Sequence, residues 1–228
     1  MGFKIAVGAA KSFGRPTETV VEEIVGRTVV LKETKQIVDE VWRRYDCDEV
    51  WASEYRSFVC LFNWQFVEAS LSRPPLLQHD AGFFMSCSIT SAYGFVSIKG
   101  GKVVRQRYAD AIGHVIDIGE VTRTELEALR GTANGSGFLD DFEGMDAEEI
   151  EEIRGTFPSN IGTDEFASEL LKVWSDPTRT FVDDTEEEWD HYMLGEEVVS
   201  AMMLGLLGVG IAVGDCEVFE QAPVFQVI

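Results

Sequence analysis

Two hydrophobic periodicities in one chain predict an α+β fold: a mainly antiparallel sheet with a meander around residues 82–108, packed helices, and an acidic helical insertion. The first observation is alternation. Phe83, Met85, Cys87 and Ile89 recur at two-residue intervals, a second run holds Tyr93, Phe95 and Val96, and a third holds Val103, Val104 and Tyr108. The second is a turn. Lys99-Gly100-Gly101-Lys102 places two glycines where a two-residue hairpin needs positive φ, which costs glycine little. The third is a change of grammar after Glu120, where short segments open on a Thr or Asp followed three residues later by Glu and close on Gly.

Taken in order, Lys4 to Ala9 predicts a first strand. The opening MGFKIAVGAAKSFG has too short an apolar core for a secretory signal, and Ala6 stands where a myristoylation motif wants Ser or Thr. Thr19 and Glu22 have capping-box spacing, Val20, Val21, Ile24 and Val25 form one apolar stripe, and Gly26 ends that helix. A second helix is expected from about Thr34 to Tyr45, because Ile37, Val38, Val41, Trp42 and Tyr45 share a face. Glu49 to Ala69 is β-like and rich in aromatics until Arg73-Pro74-Pro75 ends it.

Beyond the meander, Thr122 and Glu125 open a helix that Gly131 closes, Asp146 and Glu149 open one that Gly155 closes, and Thr185 and Glu188 open one that Gly195 closes. Between them Thr163 or Asp164 starts a helix carrying Phe166, Leu170, Leu171 and Trp174, stopped at Asp176-Pro177. Gly131 to Gly137 reads as a linker. Val198 to Val213 is apolar for about 16 residues, short of the ~20 that a membrane span needs, so it reads as a core helix running into a turn. Val224 to Ile228 returns to the sheet as a last strand.

A chain of 228 residues with 45% apolar and 11% aromatic side chains has ample core for one α+β domain spanning 1–228, with an acidic helical region at about 138–194. Its formal charge of −21 repels phosphate backbones and anionic membranes, which argues against nucleic-acid and membrane partners. The charge is concentrated. Residues 140–190 hold eighteen acidic and three basic side chains, net −15, leaving −6 for the other 177 residues. Cys47, Cys60, Cys87 and Cys216 are widely spaced, without a C-x-x-C or a nearby His set, and read as reduced thiols at a cytoplasmic address.

Met1-Gly2-x-Lys4-x-Ala6, the segment Gly94 to Arg105 with its aliphatic-Val-Arg after the hairpin, Asp117-Ile118-Gly119-Glu120 and Leu194-Gly195-Glu196-Glu197 together resemble a family of bacterial proteins, common in actinobacteria and grouped as a domain of unknown function. The chain departs from that pattern at Val121-Thr122-Arg123-Thr124-Glu125, where similar proteins carry a proline. The resemblance implies a shared fold and transfers no catalytic residue.

Arg105 and Arg107 lie two apart on a strand and so share one face. A buried Arg needs a partner, and Glu120, Glu196 or Glu197 could supply it; the cluster reads as structural ion pairing or as an anion-binding site. Glu187, Glu188, Asp190 and His191 hold an i, i+4 Glu-His pair but lack the third and fourth ligands of a metal site, so no metal or cofactor is assigned. His79 and His114 read as turn residues. No nucleophile elbow, P-loop or dinucleotide fingerprint occurs.

Two function classes stand. The first is an acidic cytoplasmic protein-binding protein, such as an immunity-type inhibitor of a cationic toxin or nuclease, with Glu186, Glu187, Glu188 and Asp190 on the surface that meets a basic partner. The second is an enzyme or small-ligand binder with a site near Arg105, Arg107 and Glu120. The missing catalytic grammar favours the first, and oligomeric state is left open.

Overall fold

The computed structural model describes residues 4–36, 48–87, 90–133, 158–207 and 221–228. Outside these lie Ile37 to Tyr45 of the expected second helix, the expected helix at Asp146 to Gly155, most of the expected linker, Ile89, Cys47, Cys216 and the expected turn at residues 208–213. The chain divides into two compact units, residues 1–120 with 202–228, and residues 121–201.

Among the described residues the first unit forms a nine-stranded sheet whose pairings are all antiparallel. Its strands are β1 (Lys4–Lys11), β2 (Val29–Gln36), β3 (Glu49–Tyr55), β4 (Phe58–Phe62), β5 (Ala81–Cys87), β6 (Ala92–Lys99), β7 (Lys102–Ala109), β8 (Val115–Ile118) and β11 (Gln221–Val227). Their spatial order is β2-β11-β3-β4-β1-β5-β6-β7-β8. The predicted meander is β5-β6-β7, and Gly100 and Gly101 make its turn with φ of 53° and 79°. Every residue of β5 is buried, which is why its sequence runs almost continuously apolar.

Helices α1 (Thr17–Val25) and α2 (Trp64–Ser72) supply Val20, Val21, Ile24, Trp64, Val67 and Leu71 to a core shared with Ala6, Leu61, Phe83 and Met85 of the sheet. Burying one such side chain stabilises by about 1.5–3 kcal/mol. Gly8 of β1 leaves room for the ring of its β5 register partner: a Cβ there would stand 2.9 Å from Phe83. At the end of α2, Gln106 Nε2 donates to the Leu71 carbonyl at 2.7 Å, so a strand side chain satisfies a carbonyl of the last turn.

The second unit holds α3 (Arg123–Ala133), α4 (Asp164–Ser175) and the hairpin of β9 (Phe181–Val182) and β10 (Glu188–Trp189). The Thr122–Glu125 capping box is present, each side chain engaging the other's backbone N–H. Thr163 caps α4 by accepting from the Phe166 N–H at 3.2 Å. Helix α5 (His191–Leu207) crosses the unit boundary at residues 201 and 202. Val198, Val199, Met202, Met203 and Leu207 on it are buried, while Leu204 is half exposed. Among the described residues no helix is long and apolar enough to cross a membrane.

Several boundaries differ from expectation. Residues 34–36 are strand, because β2 is zipped onto β11 along its whole length. The stretch from Glu49 to Ala69 is two strands followed by α2, whose Trp64, Val67 and Leu71 have helical spacing and whose start is capped by Asn63. Helix α1 begins at Thr17 without a side-chain cap, and Glu22 accepts from the Val29 N–H. Gly26 ends it as expected, at φ 70°. Helices α3 and α5 run through Gly131 and Gly195, and Thr185 to Glu188 is turn and strand instead of a helix start.

Candidate functional site

Register brings the predicted arginine pair together with a carboxylate. Arg105 and Arg107 leave one face of β7 with their side chains fully buried. Asp117 of β8 is the register partner of Arg107, and its two oxygens accept from Nη1 of Arg105 and Nη1 of Arg107. Arg105 Nη1 also donates to the carbonyls of Ile118 and Gly119 at 3.1 and 3.2 Å, and Arg107 Nε donates to the Tyr93 hydroxyl at 3.2 Å. The Arg105 guanidinium lies 5.9 Å from the centre of the Phe95 ring, within cation–π range.

The expected partner Glu120 is therefore replaced by Asp117. Glu120 lies beyond the end of β8, after Gly119 at φ 89°, and is exposed. Glu196 sits half-buried on α5, where burial and then the neighbouring Glu197 charge raise its pKa. The arginine cluster is an internal clamp joining β7 to β8, with its charge directed at Asp117.

The predicted acidic residues occupy a built turn. Asp183 is buried, and its Oδ1 accepts from the N–H and hydroxyl of Thr185 and from the Glu187 N–H, while Oδ2 accepts from Trp189 Nε1 at 2.7 Å. Burial pushes the Asp183 pKa up, but these bonds outweigh it and hold the carboxyl below its ordinary value. Glu186, at φ 65°, Glu187 and Glu188 project from this turn into solvent. Asp184 is also exposed and accepts from the Ser159 N–H. Asp190 does something else: its Oδ1 accepts from the N–H groups of Tyr192 and Met193 at 2.8 and 2.9 Å, which makes it the cap of α5.

Glu187 and His191 do not share a helical face, since Glu187 precedes β10 and His191 is the first residue of α5. His191 is buried, with its ring 4.0 Å from that of Tyr192. Among the described residues no three His, Cys, Asp or Glu side chains are grouped to hold a metal ion. Cys60 and Cys87 are buried, and burial pushes the Cys60 thiol up to about 12.

Two groupings escaped the sequence reading. In the second unit Glu125 is fully buried and accepts from Trp174 Nε1 at 3.1 Å while serving its capping box. In the first, the buried Tyr108 hydroxyl stands 3.4 Å from Glu68 Oε1 and 3.4 Å from Asp110 Oδ2. Asp110 Oδ1 accepts from the N–H groups of Ile112 and His114, and the His114 ring meets Tyr108 edge-on at 5.9 Å. Burial, followed by the two carboxylate charges, raises the Tyr108 pKa. The only trace of this in the sequence is Tyr108-x-Asp110 at a strand end, since Glu68 comes from α2. Searches of family models, curated proteins and solved structures found no match to this chain.

Proposed function

We propose that this chain is an acidic binding protein for a basic protein partner, of the kind that an immunity protein represents when it occludes a cationic toxin or nuclease. The turn from Asp183 to Glu188 carries the reading. Its backbone is fixed by Asp183, so Asp184, Glu186, Glu187 and Glu188 are presented on a framework that loses little freedom on binding. Around it, residues 158–201 hold twelve acidic and two basic side chains, and both basic ones, Lys172 and Arg179, pair with Glu169. The net negative field would speed encounter with a cationic surface and disfavour anionic competitors. An anion or substrate site on Arg105 and Arg107 is the weaker reading, because both guanidiniums are buried against Asp117.

The test is kinetic. A basic protein recovered on the immobilised chain at low salt is mixed with wild type and with the E186Q/E187Q/E188Q variant, and association is followed by stopped flow at two salt concentrations. Asp190 is left in place because it caps α5. The wild-type on-rate should drop about tenfold or more as salt screens the turn, and the variant should start low and respond weakly. An unchanged on-rate in a variant that keeps its thermal midpoint overturns the proposal.

A further inference from the structure

The outer edge of β2 carries a built-in interruption. Among the described strands β2 pairs with β11 alone, and Val30, Leu31, Lys32, Glu33 and Thr34 are all exposed, Val30 at 47% and Leu31 at 54%. A strand of eight residues, open on both faces and led by Val29-Val30-Leu31, is the kind of edge to which a second chain adds by backbone pairing.

The register shows what stands in the way. Leu31 faces Phe225 and Glu33 faces Val224, so two successive residues of β11 meet residues two apart on β2, and Lys32 is the extra residue of a bulge. The Ile228 N–H donates to the Thr28 carbonyl, which sets the alternation: Thr28, Val30 and Glu33 turn their backbone groups toward β11. The outward groups then belong to Val29 and Leu31, followed by Thr34 and Gln36, a step of three where a regular strand steps by two. A straight strand in phase with Val29 to Leu31 is out of phase with Glu33 to Gln36, so it can use one run or the other.

The charge of Lys32 is directed elsewhere. Its ammonium pairs with Glu49 of β3, and because β11 lies between β2 and β3 the side chain crosses inward over the sheet. The interruption therefore lies in the backbone.

We infer that the bulge at Lys32 keeps β2 from pairing edge to edge with β2 of a second copy. Deleting Lys32 tests this with little disturbance of the sheet: Leu31 and Glu33 become neighbours opposite the neighbours Phe225 and Val224, and the existing register needs no shift. The outward groups are then evenly spaced along the whole edge. Wild type, the deletion, and Lys32→Val, which keeps the bulge and removes the charge, are compared as full chains by sedimentation equilibrium and by hydrogen exchange.

The deletion variant should self-associate at least about tenfold more tightly than the other two, and its Val29, Leu31 and Thr34 amides should exchange more slowly as concentration rises. In wild type the same amides should exchange at one rate over about a hundredfold range of concentration. A folded deletion variant that self-associates no more than wild type, or a Lys32→Val variant that associates as tightly as the deletion, overturns the inference. So does concentration-dependent protection of those amides in wild type, a readout that stands even where the deletion variant does not fold. The acidic turn belongs to the other unit, and none of these outcomes depends on whether the E186Q/E187Q/E188Q variant changes protein association.

Discussion

Replacing Asp117 by Asn would test the arginine clamp most directly. The substitution keeps the shape of the side chain and removes the charge that faces two fully buried guanidiniums. Removing one partner of a buried ion pair costs about 3–5 kcal/mol. Here the Asp117 side chain is 32% exposed, so solvent already screens part of the interaction, and Arg105 keeps two backbone carbonyls while Arg107 keeps Tyr93. The expected loss is therefore about 2–3 kcal/mol. Native-state hydrogen exchange on the β7 amides reads this loss where it occurs, within the sheet unit. In urea, with a slope of roughly 3 kcal/mol per molar for a chain of this size, the midpoint should fall by about 1 M. Added salt should narrow the difference only slightly, since the pair is mostly inside. The triple variant R105M/R107M/D117L should recover most of the loss, because the penalty comes from taking a carboxylate away from two guanidiniums that stay buried. A D117N variant within about 0.5 kcal/mol of wild type would refute the reasoning, for it would mean that other groups hold the arginines and Asp117 merely touches them.

Two further outcomes follow from burial. Leu207→Ala should cost about 2–5 kcal/mol, whereas Leu206→Ala should cost less, because Leu207 is 1% exposed and Leu206 is only partly buried; equal losses in urea titrations would contradict the observed facing of α5. Cys60 keeps its proton in the fold up to about pH 12 but ionises near 9.0 in the unfolded chain, so below 9 it contributes no pH dependence and above 9 stability falls as the unfolded state alone loses that proton. Relative to Cys60→Ala, wild type should lose up to about 1.4 kcal/mol per pH unit between 9 and 12. A parallel pH profile for the two proteins would show that the thiol is not held protonated.

Local signals in the sequence were legible where the structure is local. The Gly100-Gly101 hairpin, the Thr122–Glu125 box and the Thr163 cap involve neighbours along the chain, and each was readable from spacing alone. The errors lie where a distant segment decides. Thr34 to Gln36 became strand because β11 pairs with them from 189 to 185 residues away in register, as Thr34 with Pro223 and Gln36 with Gln221. Asp117 and Glu120 are equivalent on paper, and only the pairing of β8 with β7 puts one carboxylate beside Arg107 and leaves the other past the strand end. Thr185 and Glu188 match a capping box in spacing, yet Asp183 takes the Thr185 hydroxyl and Trp189 buries itself on the same carboxylate. The arginines' shared face was legible because a strand's two-residue period requires no partner to be known. The carboxylates around Tyr108 were not, since Glu68 reaches it from α2.

The place of β11 between β2 and β3 has a consequence for how the chain assembles during synthesis. Val29 pairs with Val227, and Val50 with Phe225. Until residues 221–227 have left the ribosome, β2 has no neighbour and β3 shows one bare edge among the described strands. A nascent chain that has made everything through α5 thus leaves open the two strand edges that β11 later fills, and β2, one of the two strands concerned, carries the exposed Val30 and Leu31. At about 5–20 residues per second, that open period lasts on the order of ten seconds or more from the time β2 is made. A ribosome stalled shortly before residue 221 should therefore hold a protein that recruits chaperones or pairs with other copies, while one stalled well after residue 228 on an added linker should not.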